Sequence, residues 1–270
     1  MSRNQYILIG AIVIIAGFLF WKGYKTDTIV AENNVNQAAV NNFKTFEDYI
    51  STQKSELKPD ILSVLTVYEK SNTPTSMKQA VQLTDSLEMP LLASYYFEKY
   101  TKMVGDKQNW YVLGTKWYNL AMSSSDSILS YQLGGKAKSS FTKALELDPT
   151  NLNAKNALAA CYIELDKDVM KGVGMLREVI LTDSNNYQAL FSLGMLSIQS
   201  NQLDKALVRF EKLVSLQPFN PQYYFYLAEV QAKMGKTQQA LKTYEKCKTL
   251  VSDKETKTEI DNIIQKLKQL

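Results

Sequence analysis

At 270 residues, 45% hydrophobic and 21% charged, the chain has ample apolar material for a core and room for one long domain or two short ones. Its net charge of +4 rests largely on Arg3, Lys22 and Lys25; setting those aside leaves 28 basic against 27 acidic residues, which is no footprint for nucleic acid. There is no histidine, so the commonest general base and the commonest metal ligand are missing together, and Cys161 and Cys247, far apart in sequence, read as small buried side chains.

The first expected element is a membrane anchor at residues 1–25. Residues 6–21 (YILIGAIVIIAGFLFW) carry no charge, with Arg3 before them and Lys22 and Lys25 after. About 20 helical residues span the hydrocarbon, a length that residues 5–24 reach if Lys22 snorkels. Tyr6, Trp21 and Tyr24 stand where interfacial aromatics belong. The alternative, a cleaved signal peptide, lacks an Ala-x-Ala-like site near the end of the run. Arg3 and the terminal amine nearly balance Lys22 and Lys25, so the count of positive charges does not settle orientation. The short leading tail favours an array outside the cytoplasm, periplasmic in a Gram-negative source.

Residues 26–73 read as linker and helical spacer. Residues 26–42 are polar and Asn-rich. Residues 46–57 and 60–70 are helical candidates separated at Lys58-Pro59, because the residue before a proline avoids the helical region. Ser71-Asn72-Thr73-Pro74 is a breaker cluster, with Thr75 able to cap a helix to Leu87, and Pro90 opens the next helix at its first turn.

Residues 74–254 form an array. Leu193-Gly194 recurs as Leu227-Ala228, Ala206 as Ala240 and Phe210 as Tyr244, each 34 residues on. A fixed period of this size marks stacked helical hairpins. The copies are 74–106 (degenerate, with Ala93, Phe97 and Tyr100 in register), 107–151, 152–186, 187–220 and 221–254. Copy 107–151 holds 11 additional residues between Trp117 and Ala137, read as either a longer helix pair or a functional loop. Copy 152–186 has one extra residue near Asp166-Lys167-Asp168. Residues 255–270 form a last amphipathic helix, with Ile260, Ile263, Ile264 and Leu267 on one stripe, suited to closing the array.

The recurring residues resemble the tetratricopeptide repeat (TPR). That pattern has Trp, Leu-Gly and Tyr on a first helix, Ala, Phe and Ala on a second, and then Pro. Trp110, Leu113, Gly114, Trp117, Ala137, Phe141, Ala144 and Pro149 fill every slot, allowing one aromatic for another, and Leu193, Gly194, Ala206, Phe210 and Pro218 fill most in the third clear copy. Departures are Gly172 for the second-helix Ala, Ser184 and Ser252 for Pro, and Gln231 for Tyr. The resemblance implies an all-α, right-handed superhelical solenoid of antiparallel helix pairs, here behind an N-terminal transmembrane helix. It also implies a concave groove lined by the first helix of each pair. The groove row is Tyr111, Thr115 and Tyr118; Asn156, Ala160 and Ile163; Phe191, Met195 and Ile198; and Phe225, Glu229 and Ala232. Of these, Tyr111, Tyr118, Asn156, Phe191, Met195, Ile198, Phe225 and Glu229 are the candidate protein-binding residues.

That row is apolar and lacks the cationic set with which one TPR subfamily grips acidic tails. An apolar protein or peptide segment suits it, whether a partner's or part of the chain's own first hundred residues. No phosphate loop, nucleophile elbow or metal-spaced cysteine is present, so the expectation is a non-enzymatic scaffold with no catalytic residue, cofactor, metal or nucleic acid. The layout is similar to TPR subunits of bacterial cytochrome c assembly and to ancillary factors of the secretion translocon. A self-associating structural protein, forming homo-oligomers, is the alternative from another class.

Overall fold

The computed structural model describes residues 44–269, so the anchor expected at residues 6–21 and the spacer at 26–42 lie outside the described residues. The described residues form thirteen α-helices and no strand. None of these helices is long and apolar enough to cross a membrane.

Helices α1 (Phe46–Ser55) and α2 (Pro59–Ser71) precede the array. Between them Lys58 is extended, as the residue before Pro59 must be. Helix α3 (Pro74–Ser86) starts two residues earlier than a Thr75 cap would place it. Thr73 is the cap: its hydroxyl accepts from the Ser76 N–H at 3.1 Å, and the Ser76 hydroxyl accepts from the Thr73 N–H at 2.9 Å. The proline that reads as a breaker occupies the first helical position, where its missing N–H costs nothing. Asn72 supplies the break itself, in the left-handed region at φ 48°.

The array then runs in pairs: α3 with α4 (Pro90–Val104), α5 (Lys107–Ser123) with α6 (Ser127–Leu147), and α7 (Leu152–Ala160) with α8 (Val169–Thr182). Next come α9 (Tyr187–Gln199) with α10 (Leu203–Leu216), and α11 (Pro221–Lys233) with α12 (Thr237–Leu250). Helix α13 (Lys254–Lys268) closes the order. It buries Ile260 and Ile264 with Ala228, Tyr244 and Cys247, as its stripe predicts.

One contact recurs in the hairpins at 107–151, 187–220 and 221–254. A small residue on the first helix meets an aromatic ring from the second. A Cβ added to Gly114 would lie 2.6 Å from the Phe141 ring, and one added to Gly194 2.9 Å from the Phe210 ring. Glycine in a helix interior costs about 1 kcal/mol against alanine, so its presence here reflects the close approach it permits. On the second helix Ala93, Ala137, Ala206 and Ala240 are fully buried, and Gly172 is buried in the same slot.

The turns recur as well. Glu88, Asn201 and Gly235 all adopt positive φ (55°, 56° and 73°) at the same point after the first helix. The residue that follows each donates its N–H back five residues: Met89 to Thr84 O at 3.1 Å, Gln202 to Ser197 O at 2.8 Å, and Lys236 to Gln231 O at 2.9 Å. This is the Schellman closure of a helix C-terminus. Residues 74–106, weakest in sequence, share this closure with the later hairpins.

Two copies depart from this pattern. In 152–186 the extra residue lies in the helix and not in the turn. The first helix continues from α7 through a π turn, Cys161–Leu165, where Asp166 N–H bonds Cys161 O at 3.2 Å. A π turn accommodates one added residue within a helix. Lys167, at φ 58°, then takes the usual turn position. In 107–151 the insertion is helical. Helix α5 has 17 residues and α6 has 21, against 13 and 14 in α9 and α10, so α5 is longer by four and α6 by seven. Those increments account for all eleven inserted residues. The connecting turn is only Ser124-Ser125-Asp126, with Asp126 capping α6 through the N–H groups of Ile128 and Leu129. The longer-hairpin reading holds, and no loop is present there.

The overhang carries α1. Phe46 is buried with its ring edge-on to Trp117 at 5.6 Å between centroids, and Lys136 Nζ stands 4.2 Å over the Phe46 ring. Tyr49 donates its hydroxyl to Asp126 at 2.5 Å, and Gln132 donates to the Lys44 carbonyl at 2.9 Å. Both Asp126 and Gln132 belong to the inserted stretch.

Candidate functional site

The candidate groove residues lie on the first helices of successive hairpins, at spacings of three and four that put each set on one helical face. Three successive junctions between first helices are made through this face, each by a different chemistry. Between α5 and the π turn, Tyr118 donates its hydroxyl to Glu164 in a very short hydrogen bond. Burial, and then the Glu164 charge, push the Tyr118 hydroxyl pKa well above its usual value, so it remains a donor. Between α7 and α9, Asn156 donates to Asn186 at 2.9 Å and to Gln188 at 3.2 Å. The Asn156 side chain is buried, and its carbonyl oxygen has no hydrogen-bond partner among the described residues.

Between α9 and α11 the junction is aromatic. The Phe191 ring lies 6.1 Å from Phe210, 5.9 Å from Tyr223 and 5.5 Å from Tyr226. Phe210 and Tyr226 stack at 5.5 Å. Phe225 continues the row edge-on to Tyr226 at 5.8 Å and to Tyr244 at 5.6 Å. Such pairs add about 0.5–1.5 kcal/mol each beyond the area they bury. Burial raises the hydroxyls of Tyr223 (to about 12) and Tyr226, so both stay neutral.

The sequence-predicted residues therefore divide into two kinds. Tyr118, Asn156 and Phe191 are half committed to junctions between repeats, whereas Tyr111 packs at 6.0 Å on Phe141 and Phe225 at 5.6 Å on Tyr244, each inside its own hairpin. Met195 and Ile198 lean on the 187–230 core while remaining half exposed. Glu229 is half exposed with Lys233 at 3.6 Å, an i,i+4 pair. Sequence reasoning missed Glu164, Asn186 and Gln188 as partners across the junctions. Their polarity beside an apolar row was the available signal.

Helices α1 and α2 do not share a core with the later part of the row. Phe46, Ile50 and Leu65 belong to a cluster that includes Tyr111 and Tyr118, whereas Phe191, Met195 and Ile198 belong to a second and Phe225 to a third. The cysteines are chemically quiet. Both are buried and unpaired, and burial raises their thiols to about 12 for Cys161 and about 11 for Cys247. Among the described residues there is no group of three or more His, Cys, Asp or Glu able to hold a metal ion.

With this geometry in hand, the repeat identity follows. Residues 187–220 and 222–253 match models of the tetratricopeptide repeat, and this part of the chain carries that repeat. Superkiller protein 3 of Schizosaccharomyces pombe is 28% identical over 125 residues, 44% of this chain. The chain spans only 9% of that relative's length. Among solved structures, MamA (41-end) of Desulfovibrio magneticus RS-1 superposes with a TM-score of 0.52 at 21% identity, covering 66% of this chain and 94% of that one. A MamA RS-1 double mutant gives 0.53 at 20% identity, covering 66% and 93%. At these identities the likeness is one of fold: a solenoid of helical hairpins.

Proposed function

We propose that the chain is a non-enzymatic scaffold, tethered to a membrane through residues 6–21, that holds an apolar protein segment along the concave face of its array. The observation that carries the reading is the row Phe191, Met195, Ile198, Phe225 and Glu229. It is half exposed and mostly apolar, and it is held on two successive first helices by the aromatic junction beneath it. An extended or helical segment presenting alternate apolar side chains is the partner such a face fits. The tether is supported by an uncharged sixteen-residue run flanked by Arg3, Lys22 and Lys25. With the array outside the cytoplasm, the role that follows is supporting assembly of an envelope complex. The absence of histidine favours binding over catalysis.

The test uses photocrosslinking in intact membranes, with a benzophenone side chain at Met195, Ile198 or exposed Val208. Met195 and Ile198 should give one shared protein adduct and Val208 none. Substituting Met195→Asp together with Ile198→Asp should lower that adduct at least tenfold at another groove position while circular dichroism is retained. Equal adducts at all three positions, or none at the groove, would overturn the assignment. A reporter fused after Leu270 tests which side of the membrane the array occupies.

A further inference from the structure

The chain has 31 basic residues, of which only Arg3, Arg177 and Arg209 are arginine. The two within the array line the same cleft. It has a volume of about 290 Å³ and lies between the second helices α8 and α10, floored by α9, with Ile180, Leu181, Leu190 and Leu193 as its other walls. Leu190 stands three residues before Leu193, where the hairpin at 107–151 has Trp110 three before Leu113. A smaller side chain in the aromatic slot leaves the floor open.

Neither guanidinium has a carboxylate within 4 Å among the described residues. The acid next in sequence, Glu178, is paired with Lys155 at 3.0 Å. Arg209 is fixed in place, donating to Ser197 Oγ at 2.5 Å and, at 3.5 Å, to the Leu193 carbonyl. Burial, and then the nearby positive charge of Arg177, hold the Arg209 guanidinium below its usual range. Two like charges at one partly desolvated site, with no counter-charge supplied by the fold, make a site that gains from an anion. Leu181, 86% exposed, forms an apolar part of the cleft wall.

We propose that this cleft binds a carboxylate carried on an apolar stem, at a site distinct from the Phe191–Phe225 row. Two planar forks suit the two oxygens of one carboxylate. The remaining walls are aliphatic, and so apolar a lining takes a singly charged carboxylate at a smaller desolvation cost than a doubly charged phosphate. The apolar stem would lie on Leu190 and Leu193, which line the cleft. On α9 the Leu190–Leu193 stripe is turned by about 150° from the Phe191–Met195 stripe, at 3.6 residues per turn. The two sites therefore open to different sides of the same helix, and a ligand in one does not cover the other.

The low arginine count makes the test direct. Full-length protein labelled with [15N]arginine gives three side-chain Nε signals, assigned by single substitutions. The probe is 3-phenylpropanoate, set against neutral 3-phenylpropanamide and against 2-phenylethylphosphonate. The carboxylate should shift the Arg177 and Arg209 signals saturably in the low millimolar range expected of a fragment, and leave Arg3 unmoved. The amide should bind at least tenfold more weakly. Arg177→Gln, at an exposed position, should remove the shift of Arg209. Leu190→Trp should remove both shifts with the charges intact, and its fold is checked by thermal melting. No saturable shift, equal binding of the amide, or unchanged binding in Leu190→Trp would overturn the proposal. Tighter binding of the phosphonate would overturn the choice of a carboxylate. None of these outcomes depends on the crosslinking at Met195 and Ile198.

Discussion

The hairpin pair at 187–254 and the elongated hairpin at 107–147 are built on the same inner contact and use their outer surfaces in opposite ways. In the regular pair, a glycine or alanine faces Phe210 or Tyr244, and the surplus aromatics Phe191, Tyr223 and Tyr226 join one repeat to the next. In the elongated hairpin the corresponding contact is Gly114 on Phe141. Its two longer helices and the turn between them overshoot it and take up α1 through Asp126, Gln132 and Lys136. The first region extends the array, and the second attaches something to its side. An insertion that leaves the central contact intact adds surface without disturbing the stack.

The largest expected effect separates the two regions by stability. Phe210→Ala removes a fully buried ring and its stack on Tyr226, a change that costs about 3–5 kcal/mol in a core. Because repeats are stabilised chiefly by their neighbours, residues 187–268 should unfold first in urea. Far-ultraviolet ellipticity would then fall before the emission of Trp110 and Trp117, both on α5, changes. Coincident transitions would mean that the array behaves as a single unit and that the contrast is only geometric.

Phe46→Ala tests the other side. It should weaken the docking of α1 by about 3 kcal/mol, less where the ring's neighbours close in. Amide exchange in residues 46–55 should then accelerate, while residues 187–254 keep their protection. Uniform acceleration would show that α1 belongs to the stack and is no attachment.

A smaller effect comes with acid. Asp126 is held below the ordinary carboxylate range by the Tyr49 hydroxyl and by the N–H groups of Leu129 and Ile128. Burial pushes the Glu98 carboxyl up, but Lys102 and Lys136 outweigh it and hold the group below its usual value. For groups with lowered folded-state pKa values, the stabilisation is complete above the unfolded value of about 4. It is lost as pH falls through the lower folded value. Acidification from pH 5 to 3 should therefore loosen α1 before it melts residues 187–254, read as a change in Trp117 emission. Asp126→Asn should flatten that response, and an identical profile in this variant would rule out Asp126 as its source.

The same contrast marks what could be read from the chain in advance. The inner contacts were legible because they repeat: Leu193, Ala206 and Phe210 announce themselves through copies 34 residues away. The attachment of α1 was not legible, because Phe46 meets Trp117 and Tyr49 meets Asp126 only once, across more than seventy residues. Shape and hydrogen bonding choose these partners, and no period does. The candidate row falls on the first helices of successive hairpins. Sequence alone did not separate Met195 and Ile198 from Phe191, since a side chain's share in a junction depends on which ring the next repeat brings. The arginine cleft was overlooked for a different reason: Arg177 and Arg209 were counted with the lysines as charge, although their rarity was visible in the composition.

The π turn at Cys161–Leu165 has a consequence of another kind. Residues 152–186 are one residue longer than the copies that follow, yet Lys167 reaches the left-handed turn position that Asn201 and Gly235 occupy. The helix has absorbed a phase slip within five residues and returned the chain to step before the turn. Glu164, the acceptor for Tyr118, sits on those five residues. The point where the chain corrects its count is thus also where one repeat takes hold of the last, and a fixed ruler laid along the sequence would place that residue one position away from its true neighbour.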